Sequence, residues 1–282
     1  MKLFNSPFTI ITVIIGASIG ALIGSCNLNP TSGKLAIKPS IASRTTISVP
    51  EQSDTIITNL EYPELKIGET ITKHYAYSLS YNEQHEQANW IAYQYTRAET
   101  VKHIERKDKF IIDPHIPTGS ADANDYKNSG YDRGHLAPAA DMLFDQRAME
   151  ESFYFSNMSP QIHAFNNGIW KKLEKQVRDW AEQYDTIYVV TGPVLTPGLP
   201  TIGHNKVSVP EYYYKVILKY SPPDIRGIGF IVPVNATNKN LKTYAVSIDS
   251  VENFTNINFY YLLIDQVEQK TESNFKPSLW KW

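Results

Sequence analysis

The chemistry-bearing stretch of this chain is Asp132-Arg133-Gly134-His135, set between Tyr131 and Leu136-Ala137-Pro138. A histidine is a general base near neutral pH. An arginine beside it suits a phosphate, because its planar fork donates two parallel hydrogen bonds. Three further blocks follow in order. The first is Ser156-Asn157 with Pro160-Gln161. The second is Asn166 with Trp170 and Glu174. The third is Thr191-Gly192-Pro193. Each block alone is a weak signal; four in sequence are a specific one.

These residues need a scaffold. Tyr75 to Tyr81 alternates and predicts a strand, as does Asn89 to Tyr95, with Asn82 to Gln87 turning between them as an antiparallel pair. A basic segment, Arg97 to Lys109, leads to a long polar loop that runs to Gly130. His135 is then expected on a loop. Asp145 to Glu151 reads as a short helix, and Phe153 to Met158 as a strand that Ser159-Pro160 ends. From Asn167 or Gly168 to Tyr184 runs an apolar stripe of Ile169, Leu173, Val177, Trp180, Ala181 and Tyr184, which predicts a helix. Lys171, Lys172, Lys175 and Arg178 sit mostly off that stripe, on a solvated or phosphate-facing side.

Further strands are expected at Thr186 to Thr191, stopped by Gly192-Pro193, at Tyr212 to Tyr220 and at Gly227 to Val234. A helix begins near Ser247 or Ser250. Phe259 to Ile264 fits helix or strand. Six or more strands without regular alternation argue for an α+β class with a mainly antiparallel sheet.

The 282 residues carry a formal net charge of −2, so attraction to nucleic acid must come from a local patch. Cys26 is the single cysteine and excludes both an intramolecular disulfide and a cysteine-based zinc site. The uncharged run Phe8 to Ser25 ends in Leu22-Ile23-Gly24-Ser25-Cys26 and resembles a bacterial lipoprotein signal. The expected organisation is a signal over 1–26, a flexible linker over 27–56 and a catalytic domain over 57–282. Lipidation of Cys26 would anchor an extracytoplasmic protein to a membrane. A conventional cleaved signal would secrete it, and a retained helix would hold it in the membrane.

The four motif blocks, from about Leu65 to about Ile264, resemble the DNA/RNA non-specific endonuclease family of the ββα-metal superfamily. That resemblance implies a ββα-metal fold, an antiparallel central sheet flanked by helices, and hydrolysis of DNA and RNA. It implies His135 as the general base, Arg106 as the arginine that holds the phosphate, and Asn166 as the one protein ligand of a magnesium or manganese ion. An amide oxygen is a hard donor that suits either ion. Asn167 is the adjacent competitor. Arg133 and Asn157 are implied on the substrate side, Asn157 also as a prop for the histidine loop, and Asp132 as a brace. Glu174 lies eight residues beyond Asn166, about 80° and roughly 12 Å along a regular helix, which places it behind a water rather than on the ion. The family also admits homodimers. Two alternatives remain: a catalytically inactive surface lipoprotein that binds nucleic acid or a partner, and a phosphodiesterase for another substrate. An inactive relative is expected to lack His135, Asn166 or Arg106; this chain has all three.

Overall fold

The computed structural model describes residues 57–237 and 239–282. The expected signal, Cys26 and the linker lie outside them. Among the described residues eleven strands form three sheets. The main sheet takes β1 (Thr72–Lys73), β2 (Ser78–Asn82), β3 (Gln87–Thr96), β6 (Thr186–Pro193), β9 (Tyr212–Ser221), β10 (Asp224–Pro233) and β11 (Ala245–Val246), in the order β1-β2-β3-β6-β9-β10-β11. Every pairing in it is antiparallel. The α+β class and the antiparallel sheet are therefore as expected. β4 (Asp132–His135) and β5 (Met158–Gln161) form a separate ribbon, and β7 (Thr201–Ile202) pairs with β8 (Val207–Ser208).

The sheet is buried on both faces. Successive side chains of a strand point to opposite sides. Ile91, Tyr93, Ile187, Val189, Tyr213 and Ile217 face one apolar cluster, and Trp90, Ala92, Val190, Tyr214, Val216 and Leu218 face the other. That is why β6 and β9 read as near-continuous apolar runs. The described residues also form the α-helices α1 (Ala123–Tyr126), α2 (Gln146–Glu151), α3 (His163–Phe165), α4 (Lys171–Tyr184), α5 (Ile248–Thr255) and α6 (Asp265–Ser273). α4 buries Leu173, Val177, Trp180 and Ala181 in the first cluster. α5 buries Ile248 and Val251 in the second, and Ser247 caps it by accepting from the Ser250 N–H. Asp145 caps α2 by accepting from the N–H groups of Arg147 and Ala148.

Several expectations are corrected. Asp132–His135 is a strand, because it pairs residue for residue with β5. Phe153 to Met158 is largely a tight turn, with a 3-10 turn over Phe155–Asn157, and the strand starts only at Met158. Pro160 does not end the pairing but sits opposite Arg133. A two-stranded ribbon has outer edges where no ladder N–H is needed, so proline is tolerated. β6 runs on through Gly192-Pro193 for a similar reason. Its pairing with β3 stops at Thr191, so these two residues pair with β9 alone. A side chain at Gly192 would press on the Asn89 carbonyl oxygen and the Tyr214 hydroxyl, so only glycine fits. Phe259 to Ile264 is neither helix nor strand; Phe259, Tyr260 and Leu263 are pinned into the core from a turn. The long polar loop contains α1, closed by a reciprocal cap between Asp122 and Asp125.

Candidate active site

The ribbon and α4 build the site. Ribbon register places Asp132 opposite Gln161, Gly134 opposite Ser159 and His135 opposite Met158. Gly134 is required, since a Cβ there would collide with the Gln161 side chain. The ribbon is tied to the main sheet at Ser159: its hydroxyl donates to Gln87 Oε1 at 2.6 Å and lies 2.7 Å from the Tyr213 hydroxyl. Asn157 is fully buried. Its Oδ1 accepts from the Ala137 N–H at 2.8 Å, and its Nδ2 donates to the carbonyls of Ala137 and Ser152 at 2.9 and 2.7 Å. Its amide ties the backbone just after His135 to the end of α2. These bonds fit the expected prop for that segment.

His135 stands on an aromatic floor. Its ring meets Phe153 edge-on at 4.9 Å and lies 5.9 Å from Phe110. Two guanidinium groups lie over the same floor, Arg133 at 4.0 Å from the Phe110 ring and Arg106 at 5.4 Å from Phe153. Burial, then Arg106, then Arg133 push the His135 imidazole down to about 3, with Asp108 opposing. The ring is neutral at neutral pH. Its Nε2 is enclosed and has no hydrogen-bond partner. Within the segment Arg106 to Lys109, Arg106 is the cation that lies over the floor. Arg106 is also held at 2.6 Å by Asp108.

Asn166 enters from the turn between α3 and α4. Residues Asn166–Trp170 form one wide π-type turn, broken at Gly168 with φ −105° and ψ −110°. Such turns often mark functional positions. The turn also invalidates the estimate of 80° and 12 Å between Asn166 and Glu174, which assumed a regular helix. Asn166 Nδ2 donates to Asp132 Oδ2 at 3.0 Å, and the His163 Nδ1 lies 2.9 Å from the same oxygen. This leaves the Asn166 Oδ1 unengaged. Asn167 is exposed, and its Oδ1 accepts from Lys171. Asp132 therefore braces Asn166 itself as well as the ribbon.

Glu174 is half-buried and makes no hydrogen bond or ion pair among the described residues. Burial raises its pKa, while Lys215, Arg178 and Arg106 pull the other way. Arg178 is drawn inward from the basic face of α4 to pair with buried Asp141 at 2.7 Å, and the Tyr93 hydroxyl donates to the same carboxylate at 3.0 Å. Lys175, by contrast, is exposed and pairs with half-buried Asp179.

Lys215 escaped sequence reasoning. It is wholly buried on the α4 face of β9, its Nζ has no hydrogen-bond partner, and it lies 4.9 Å over the Trp170 ring. Burial lowers its pKa, and Glu174 and Asp141 counter that. The one signal in the sequence was a charged residue inside the apolar run Tyr212 to Leu218.

The donor set matches what a hard divalent cation needs. Asn166 presents an unengaged amide oxygen, and Glu174 a carboxylate free of protein partners. Both fit magnesium or manganese, which favour oxygen donors.

A family model described as DNA/RNA non-specific endonuclease matches residues 58–263. The mitochondrial nuclease EXOG of Mus musculus is 29% identical over 87% of this chain and 72% of its own length. Nuclease C1 of Cunninghamella echinulata var. echinulata is 36% identical over 66% of this chain and 80% of its own. The chain spans 55 to 63% of other vertebrate EXOG proteins. Among solved structures, one titled as the EndoG/EndoGI complex superposes with a TM-score of 0.67 at 30% identity, over 74% of this chain and 90% of that one.

Proposed function

The chain belongs to the DNA/RNA non-specific endonuclease family and is a nuclease, and on that premise we propose that it cleaves DNA and RNA at phosphodiester bonds with little sequence preference. The observation that carries this reading is the ββα unit itself. Support comes from His135 with Arg106 and Arg133 over the Phe110–Phe153 floor, and from Asn166 held to Asp132 of the same ribbon.

With Nε2 enclosed, His135 takes a proton from water at Nδ1. Arg106 and Arg133 hold the phosphate as charge develops on it. Asp132 keeps the Asn166 amide turned so that its oxygen faces outward. Asn157 holds the strand end that carries His135. Asn166 would hold a magnesium or manganese ion, with Glu174 placed to support it, and such an ion would supply Lewis-acid charge to the phosphate. Arginine contacts to phosphate carry no base information, which is the physical basis of weak sequence preference.

The test uses the purified protein with supercoiled plasmid and with single-stranded RNA, in magnesium and in EDTA. Both substrates are cut in magnesium, EDTA stops the reaction, and His135→Ala slows it by ~100- to 10,000-fold. Cleavage that persists in EDTA, or a His135→Ala protein at the wild-type rate, rejects the reading. Failure to cut either polymer would favour the phosphodiesterase alternative.

The reading extends to location. The run Phe8 to Ser25 before Cys26 supports an exported, lipid-anchored nuclease kept away from the chromosome of its own cell. Mass spectrometry of the mature N-terminus tests this. Diacylglycerol on Cys26, and release from membranes in Cys26→Ser, are the expected results.

A further inference from the structure

A second cluster of ligating side chains lies apart from the active site and shares no residue with it. His74 precedes β2, and Asp113 and His115 sit in the loop that leads towards α1. One ligand atom from each lies within 4.8 Å of the other two. The His74 and Asp113 side chains are fully enclosed, and the His115 side chain is 42% exposed, so the cluster opens to solvent on that edge.

His74 is the anomalous member. Its Nε2 lies 3.0 Å from Asp113 Oδ2 and its Nδ1 3.9 Å from Glu151 Oε2, yet neither ring nitrogen makes a hydrogen bond of good geometry. The carboxylate is near but off the axis of the nitrogen. A buried imidazole in need of a hydrogen bond would be aimed at its acceptor. Two ligands of one tetrahedral ion look different. With bonds of about 2.0–2.2 Å they sit roughly 3.3 Å apart, and the ion, not the partner atom, lies on the nitrogen axis. The His115 Nδ1 is hydrogen-bonded at 3.2 Å to the other oxygen of Asp113, and the two imidazole centroids are 5.0 Å apart at 86°. These spacings suit two imidazoles and a carboxylate around one small cation.

We propose that His74, Asp113 and His115 form a binding site for zinc or a cation of similar chemistry, distinct from the hard-oxygen site at Asn166. Two nitrogen donors and one oxygen select a borderline ion over magnesium. The ion would join the long loop to the start of β2. It would also reach the active-site frame indirectly, because Asp113 Oδ2 accepts from the Ser156 hydroxyl at 2.5 Å, next to Asn157. Its role would be to fix that frame, not to enter the reaction.

The experiment titrates the purified full-length protein with zinc against a chromogenic chelator, and separately with cobalt, read by visible absorption. Wild type is expected to take up one zinc equivalent in this site and to show the intense bands of tetrahedral cobalt. His115→Ala, at an exposed position that folding tolerates, should bind zinc at least tenfold more weakly and lose those bands. His135→Ala should leave both readouts unchanged, which separates this site from the nuclease assignment. Equal zinc affinity in wild type and His115→Ala overturns the proposal. So does zinc uptake that Asn166→Ala abolishes and His115→Ala spares.

Discussion

Asp132→Asn is the most informative single change. Asp132 Oδ2 accepts from Asn166 Nδ2 at 3.0 Å and lies 2.9 Å from the His163 Nδ1. A carboxylate accepts only, so it forces Asn166 to present its NH2 inward and its oxygen outward. An asparagine at 132 offers a donor as readily as an acceptor. The Asn166 amide can then turn over and spend its oxygen on the new NH2. A hydrogen bond to a charged group contributes about 1.5–3 kcal/mol, which corresponds to roughly ten- to a hundredfold in an equilibrium. Changes behind a metal ligand cost about the same factor in metal affinity. The magnesium concentration for half-maximal plasmid cleavage should therefore rise about ten- to a hundredfold, with a smaller loss of rate at saturating magnesium. The fold should survive, because Asp132 is partly exposed and its strand remains paired with β5. His163→Ala, which removes only the exposed partner, should shift the requirement far less. An Asp132→Asn protein with unaltered magnesium dependence would refute the orienting role.

Asn166→Ala should cut activity severely and raise the magnesium requirement, whereas Asn167→Ala loses only its Lys171 contact and should do neither; the same titration checks both. Asn157→Ala strands three backbone groups in a fully buried place, each at about 1–3 kcal/mol, and should lower the melting temperature by several degrees, measured calorimetrically. Glu272 is enclosed and its Oε1 lacks a partner; burial and then Glu252, Glu268 and Asp249 push it up to about 9. The folded protein therefore holds a proton that the unfolded chain releases near 4.5. Stability from this group is intact below about pH 4.5 and is lost as pH rises towards 9. In EDTA, Glu272→Gln should accordingly melt higher than wild type at pH 8 and alike at pH 4.5; equal melting at both pH values would contradict this.

Much of the site was readable from the chain because its members cluster in short motifs. His135, Arg133 and Asp132 are adjacent, and Asn166, Trp170 and Glu174 share one helical segment. Local spacing carries that information, as it carries the apolar stripe of α4 and the alternation of β2 and β3. The antiparallel class followed from strand count and order. Chain-distant contacts were not readable. Nothing local tells that Asn157 turns inward to serve Ala137 and Ser152, that Phe110 and Phe153 meet under His135, or that Lys215 lies over Trp170. Pairing decided the strand at Asp132–His135 and the place of Pro160 within it, because a strand of four residues has no pattern of its own until a partner satisfies its backbone. The π-type turn at Gly168 likewise came from packing, which sets where Asn166 stands relative to α4. Residue types determine which chemistry this chain can do; tertiary contacts determine which nitrogen is enclosed, which oxygen is free and which charge is left without a partner.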